Sequence, residues 1–273
     1  PLLRTDKPSV LALFDLSGGR ARMGASILAQ VAQSFGDTAP DAPDAQKLVR
    51  FVKLIRKLTL AGCVTAYHDR SDGGLAATLS EMMFASHVGL DVTLDGLIDG
   101  AKDVEAATAA LFNEEIGAVV QIPADRLEDV KSQAAAAGLS DCLFVVARIN
   151  TTDTFKVTCG ENVLVDEKRT DLMRVWSEVS HEIARGRDNP ACADSELEVA
   201  CGTDHQGLFV KTTFDPEEHP SGPYIHSGDV RPKIAVLREQ GVNSQTEMAA
   251  AFTKAGFEAW DVHMTDLLSG RIT

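Results

Sequence analysis

Several things are missing from this 273-residue chain. No apolar run approaches the roughly 18 residues of a membrane-spanning helix. No C-x-x-C pair occurs: the cysteines, Cys63, Cys142, Cys159, Cys192 and Cys201, are odd in number and widely spaced. That excludes a disulfide framework or a zinc site and leaves reduced, structural thiols. Excess positive charge is missing too. The 26 Lys and Arg face 40 Asp and Glu, a net charge of −14, which argues against unaided binding to nucleic acid or to an anionic membrane. There is no basic-then-apolar leader, and the first residue is Pro1 rather than Met. The expectation is a cytoplasmic chain cut from something longer.

What is present is globular in composition, with 44% hydrophobic and 24% charged residues. The acidity concentrates between Asp188 and Asp229, where nine acidic side chains accompany one basic one, Lys211. Four Gly and four Pro, among them Pro216, Pro220 and Pro223, share that stretch. Such a composition reads as a linker, with at most a short strand over 207–214.

Before the linker, strand and helix signals alternate. Val10 to Phe14 is an unbroken apolar run of strand length, followed by the turn signal Gly18-Gly19. Leu48, Phe51, Val52, Ile55 and Leu58 recur at helical steps, with Lys47, Arg50, Lys53 and Lys57 on the other side. Further strands are expected over 64–67, 116–122, 142–149 and 155–158. Helices are expected around the stripe Leu75, Leu79, Met82, Met83 and over 126–137.

Beyond the linker, Ile234 to Leu237 is an all-apolar run, the pattern of a strand covered on both faces. Ser244-Gln-Thr-Glu247 fits a capping box opening a helix that Gly256 ends, and 257–263 reads as a second strand. That is one βαβ unit, the opening of a doubly wound sheet. The 45 residues from Asp229 to Thr273 are too few for the roughly 100–150 of a typical domain.

The densest polar cluster is His68-Asp69-Arg70-Ser71-Asp72-Gly73-Gly74, at a strand-to-helix junction. Backbone amides and the helix dipole favour phosphate there. Asp69 offers a hard oxygen to Mg²⁺, Ser71 a hydroxyl to a nucleotide, and the glycines a close backbone approach. The plainer reading makes Ser71 or Asp72 an N-cap and the glycines a turn. Chemistry alone favours it, since the segment lacks the P-loop Lys and is not a G-x-G-x-x-G. Asn113-Glu114-Glu115 offers paired carboxylates, more simply read as a solvated strand entrance. Gly18-Gly19-Arg20 and Arg238 to Asn243 are turns after strands. His181, His205, His219 and His226 lie in or beside the linker without metal-like spacing, and no Ser-His-Asp or Cys-His set can be assembled.

Taken together, the segments Ala66-Tyr-His-Asp-Arg-Ser-Asp-Gly-Gly-Leu75, Leu111-Phe-Asn-Glu-Glu-Ile-Gly-Ala-Val-Val120 and Val236-Leu-Arg-Glu-Gln-Gly-Val-Asn-Ser244 resemble one family. Arg187-Asp-Asn-Pro190, Ala255-Gly-Phe257 and Asp261-Val-His-Met264 strengthen the likeness. The family is the large, single-chain phosphoribosylformylglycinamidine synthase of purine biosynthesis. The resemblance covers essentially the whole chain in order. The stretch 67–74 alone is shared more loosely with the wider aminoimidazole-ribonucleotide-synthetase-like superfamily.

The resemblance implies an α/β chain in three parts. Residues 1–168 would be an α+β synthetase-type C-terminal domain, 169–228 a helical then extended acidic linker, and 229–273 the first βαβ unit of a flavodoxin-like class I glutamine amidotransferase domain. It implies a ligase that turns formylglycinamide ribonucleotide, ATP and glutamine into formylglycinamidine ribonucleotide, ADP, phosphate and glutamate. ATP activates the amide oxygen as an iminophosphate in such enzymes, and ammonia from glutamine then attacks it. The implied cofactors are ATP or ADP and Mg²⁺, with Asp69 a metal ligand and Ser71 a nucleotide contact, at an auxiliary rather than catalytic nucleotide site. The implied partners are the two substrates and further domains of the same polypeptide. No Cys follows Cys201, so the family's glutaminase nucleophile has no counterpart here and this chain alone is expected to be inactive. Two alternatives stand beside this reading. One is a noncatalytic nucleotide-binding module that stands alone. The other is a related ATP-using enzyme without the amidotransferase start, which the segment from Arg231 to His263 counts against.

Overall fold

The computed structural model describes all residues except 37, 43, 101, 204–209, 219–221 and 223–229. Two compact units divide it, Pro1–His205 and Gln206–Thr273.

The first unit is built on a seven-stranded sheet. Its strands are β1 (Ser9–Asp15), β2 (Ala66–Arg70), β3 (Gly89–Thr93), β4 (Gly117–Pro123), β5 (Leu143–Asn150), β6 (Thr154–Cys159) and β7 (Asn162–Lys168). They lie in the order β2-β4-β1-β5-β3-β6-β7, antiparallel at every pairing but β3 with β6. The helices α1 (Ile27–Val31), α2 (Ala45–Leu60), α3 (Gly74–Ser86), α4 (Val104–Phe112) and α5 (Leu127–Ala136) connect the strands.

Alternation along a strand sends neighbouring side chains to opposite faces, and both faces here are covered. Leu11 and Leu13 of β1 join Leu75, Leu79, Met82 and Met83 of α3 and Leu111 of α4 in one core. Val10, Ala12 and Phe14 join Phe51, Leu54 and Leu58 of α2 and Val130 of α5 in the other. That double burial explains the unbroken apolar run from Val10 to Phe14, which alternation with polar residues would have interrupted.

Most expected elements are present, with instructive differences. The strand expected over 64–67 lies at Ala66–Arg70, because it pairs along β4 from Gln121 to Gly117. His68, Asp69 and Arg70 are therefore strand residues rather than part of the turn. The short strands β3 and β7 and the helix α4 carry no strong sequence period.

After β7 the chain forms α6 (Arg169–Arg187) and α7 (Pro190–Cys201). Over 190–201 the acidic stretch is helical. Asn189 caps this helix through bonds from the amides of Ala191 and Cys192, and Pro190 occupies its first turn, where a missing N–H costs nothing. Ion pairs from His181 and Arg185 to Asp194 and from Arg174 to Glu198 join the two helices. No strand forms over 210–214; residues 207–209 of that expected strand, and His205, His219 and His226, lie outside the described residues.

The second unit holds β8 (Lys233–Arg238) and β9 (Glu258–His263), paired in parallel, with α8 (Gln245–Lys254) between them and α9 (Met264–Leu268) after. Val236 and Val262 are buried, but Leu237 is 57% and Trp260 46% exposed. The apolar run at 234–237 is thus not covered on both faces in this unit, where one helix lies between two strands. The expected capping box at Ser244 is also absent. Ser244 sits at φ +72 and makes no side-chain cap, and its amide donates to Asn243 Oδ1 instead. The box that does form is His263 with Asp266, at the start of α9.

Candidate functional site

Three segments of the first unit meet at one end of the sheet: the β2–α3 turn, the stretch 113–116 entering β4, and the connection from β1 to α2. The period of two along β2 turns Ala66, His68 and Arg70 to one face and Tyr67 and Asp69 to the other. His68 lies against α3, with Nε2 2.8 Å from Glu81 Oε2 and Nδ1 2.9 Å from the Asp69 carbonyl.

Arg70 is buried. Its Nε donates to the Glu115 carbonyl at 2.6 Å and its Nη2 to Asp15 Oδ1 at 3.1 Å. It therefore holds β2 to β1 and β4 rather than facing a ligand. On the other side it lines a cleft of about 240 Å³ with Asp15, Gly19, Arg20 and Asn113.

Asp69 is mostly exposed, and its Oδ2 accepts a 2.7 Å hydrogen bond from Ser71 Oγ. That bond favours the charged form, aided by a backbone bond and by the charge of His68. Together they outweigh burial and hold the Asp69 carboxyl below the usual aspartate range. The two residues singled out in the sequence are thus brought together at the end of β2. Tyr67, on the same face, has its hydroxyl pushed up by burial and then by the Asp69 charge.

The glycines do what the turn needs. Gly73 and Gly74 have φ of +80 and +66, and a Cβ on Gly74 would lie 2.7 Å from the carbonyl oxygens of Leu111 and Asn113. The capping assignment is different from either sequence reading. The N-cap of α3 is Gly73, without a side-chain cap of its own, so neither Ser71 nor Asp72 caps the helix. The Gly73 amide donates instead to Glu114 Oε1 at 2.8 Å.

The paired carboxylates at 114 and 115 are not a solvated strand entrance. Glu115 is fully buried and takes Arg22 in a two-pronged bond, Nε to Oε1 at 2.6 Å and Nη2 to Oε2 at 2.7 Å. Burial pushes its carboxyl up, but the Arg22 bonds outweigh that and hold it below the ordinary glutamate value. Glu114 Oε1 accepts from the Ile27 amide as well, again at 2.8 Å. Sequence reading missed these roles because the partners lie 87 and 93 residues away in a connection without periodicity.

Among the described residues no group of three or more His, Cys, Asp or Glu could hold a metal. A protein-built metal cage is therefore absent there. The single exposed carboxylate of Asp69 fits the mode in which Mg²⁺ takes one or two carboxylates and fills its remaining positions with water and phosphate. All five cysteines are free. Burial pushes the thiols of Cys63, Cys142 and Cys201 up, which disfavours the thiolate that nucleophilic chemistry needs. Among the described residues no helix is long and apolar enough to cross a membrane.

Residues 14–160 match the family described as AIR synthase related protein, C-terminal domain, and residues 231–273 match the CobB/CobQ-like glutamine amidotransferase domain. The first match takes in more than half of the chain, which belongs to the AIR synthase-related family, with amidotransferase-type sequence following in the same polypeptide. This is the pairing that the resemblance to phosphoribosylformylglycinamidine synthase implies.

Among solved structures, PurL of Thermotoga maritima complexed with FGAR is 18% identical, with a TM-score of 0.51 over 63% of this chain and 29% of that one. The same organism's PurL complexed with ATP is 17% identical, with a TM-score of 0.47 over 62% and 26%. HypE of E. coli, a hydrogenase maturation protein, is 16% identical, with a TM-score of 0.42 over 60% and 50%. At 18% identity the likeness to the FGAR complex is one of fold. The chain spans only 26% to 29% of the PurL chains.

Proposed function

We propose that this chain is part of a phosphoribosylformylglycinamidine synthase, the ATP-dependent ligase that converts formylglycinamide ribonucleotide, ATP and glutamine to formylglycinamidine ribonucleotide, ADP, phosphate and glutamate. The observation that carries the reading is the order of the two family matches, an AIR synthase-related domain followed by the start of a glutamine amidotransferase domain. In this reading 1–168 is the synthetase-type domain, 169–228 the connection, and 229–273 the beginning of the amidotransferase part.

The β2–α3 turn is the nucleotide site of this proposal. Asp69 would hold Mg²⁺ and Ser71 would contact the nucleotide. Bound Mg²⁺ would neutralise phosphate charge beside a turn that already carries Asp69, Asp72 and Glu114. Asp69 presents an ionised oxygen, Ser71 orients it, and Gly73 and Gly74 let the backbone pass close beneath. His68, held to Glu81, fixes the strand end from which Asp69 projects.

Calorimetric titration of the purified chain with ADP, with and without Mg²⁺, tests the site. Binding that requires Mg²⁺ and is lost in Asp69→Asn supports it. Equal binding by wild type and Asp69→Asn overturns the assignment of Asp69.

A further inference from the structure

A helix that follows Asp69-Arg70-Ser71-Asp72 has three good capping side chains just ahead of it, yet uses none of them. Ser and Asp are the residues that normally satisfy the free amides of a first turn. In α3 the N-cap is Gly73, which has no side chain to offer. The acceptor comes from 41 residues further on: Glu114 Oε1 takes the Gly73 amide at 2.8 Å. The same oxygen takes the Ile27 amide, the first of α1, at 2.8 Å. A carboxylate at the positive end of the 13-residue α3 is favoured by the helix dipole, and charge-assisted bonds to backbone N–H are the stronger kind.

We propose that Glu114 is a positioning residue for the candidate nucleotide site: by capping α3 from outside, it leaves the hydrogen-bonded pair Asp69 and Ser71 clear of the helix end and open to a ligand. The proposal rests on the nucleotide reading above. Its logic is one of competition. With Glu114 in place, the Ser71 hydroxyl is free to donate to Asp69 Oδ2, while Asp69 Oδ1 lies 3.9 Å from His68 Nδ1, beyond hydrogen-bond reach. Without it, the bare first turn would recruit Ser71 or Asp72 as its cap. Ser71 would then swing away from Asp69, and Asp69 Oδ2 would lose its 2.7 Å hydrogen bond. Close approach makes the arrangement specific, since Gly74 lies against the carbonyls of Leu111 and Asn113, next to Glu114 in the chain.

The test compares the full chain with Glu114→Ala and Glu114→Gln, with ADP and Mg²⁺ as the probe. Affinity is read by calorimetry, and amide hydrogen exchange is read at Gly73 and Ile27. Glu114→Ala should speed exchange at both amides and weaken Mg²⁺·ADP about tenfold, the scale of losing a helix cap. Glu114→Gln keeps an oxygen in place and should restore binding to within about threefold. Faster exchange with unchanged affinity in Glu114→Ala overturns the positioning role. Unchanged exchange overturns the cap itself. If the wild-type chain binds no Mg²⁺·ADP, the nucleotide reading and the positioning role fall together, and exchange at Gly73 and Ile27 alone decides the cap.

Discussion

Arg22 and Glu115, 93 residues apart in the chain, meet through two parallel hydrogen bonds of 2.6 and 2.7 Å, with the Glu115 side chain wholly buried. The Arg22 amide adds a third bond to the same carboxylate at 3.1 Å. The connection between β1 and α2 is thereby fastened to the entrance of β4, beside the candidate site.

The pair has a definite pH signature. The Glu115 carboxyl titrates lower in the folded chain than in the unfolded one. Its contribution to stability is therefore complete above the ordinary glutamate pKa and disappears as the pH falls through the folded value. Thermal melts taken from neutral pH down to about pH 3 should show this acid loss. Arg22→Ala removes the two side-chain bonds and the charge that lower the pKa, leaving the amide bond and the Arg70 charge to act against burial, which raises it. The variant should melt lower than wild type at neutral pH, and the gap should close as the pH falls. A gap that stays constant with pH would show that Glu115 is not the group concerned.

Gly74→Ala should destabilise the first unit and disturb the turn. The residue sits at φ +66, and the added methyl would meet two carbonyl oxygens at 2.7 Å. Those are backbone atoms of 111–113, which cannot step aside as a flexible side chain would. A left-handed backbone and a steric clash together cost on the order of 3 kcal/mol. Chemical denaturation gives the value directly. Gly18→Ala is the control: it has φ +71 but open space around the added atom, so strain alone should make it the milder change.

These contrasts mark what the sequence could and could not reveal. The strand at Val10 to Phe14 was legible as an unbroken apolar run, and the helices at 45–60 and 74–86 through the period of their apolar residues. The strands β3 and β7 were not: β3 has five residues, and β7 is largely exposed on both faces, Val163 included, so burial imposes no alternation on it. The helix α7 was hidden by an acidic composition, although Asn189-Pro190 is a helix-start signal. Asp69 and Ser71 stood out through the family resemblance of the segment 66–75, since their chemistry alone favours a helix cap and a turn. The cap on their helix did not, because Glu114 reaches it across 41 residues and nothing local in the sequence encodes that distance. Ser244 failed as a cap for the converse reason: the local pattern was right, but the backbone there is left-handed.

The Asp69–Ser71 bond predicts a shift that can be read residue by residue. The Ser71 hydroxyl is the largest cause holding the Asp69 carboxyl down. In Ser71→Ala that carboxyl should titrate higher than in wild type, followed by carbon-detected NMR of the side chain. Asp69 is largely exposed, so global stability at neutral pH should change little. An unmoved Asp69 titration would show that the hydroxyl does not donate to it in solution.

Among the described residues Arg169 is the largest side chain buried to less than 2% exposure, and it holds Asp153 through Nε–Oδ1 at 2.6 Å and Nη2–Oδ2 at 3.0 Å. Among the described residues its Nη1 has no hydrogen-bond partner, and Asp153 supplies the acceptors for Nε and Nη2. Asp153 itself lies at φ +55 in the β5–β6 turn, a conformation that Asn also tolerates. Asp153→Asn therefore removes the charge without straining the turn, and leaves a buried cation without its counter-charge. The expected loss is about 3 kcal/mol, the scale of breaking one partner out of a buried pair. Arg169→Met should be milder, since the remaining carboxylate is a third exposed and can take water. The double variant buries no charge at all and should recover most of the loss, because it leaves no buried cation without a partner. A double-mutant cycle by denaturation measures the coupling. Additive losses would mean that the start of α6 is held by packing alone and that the ion pair contributes nothing to it.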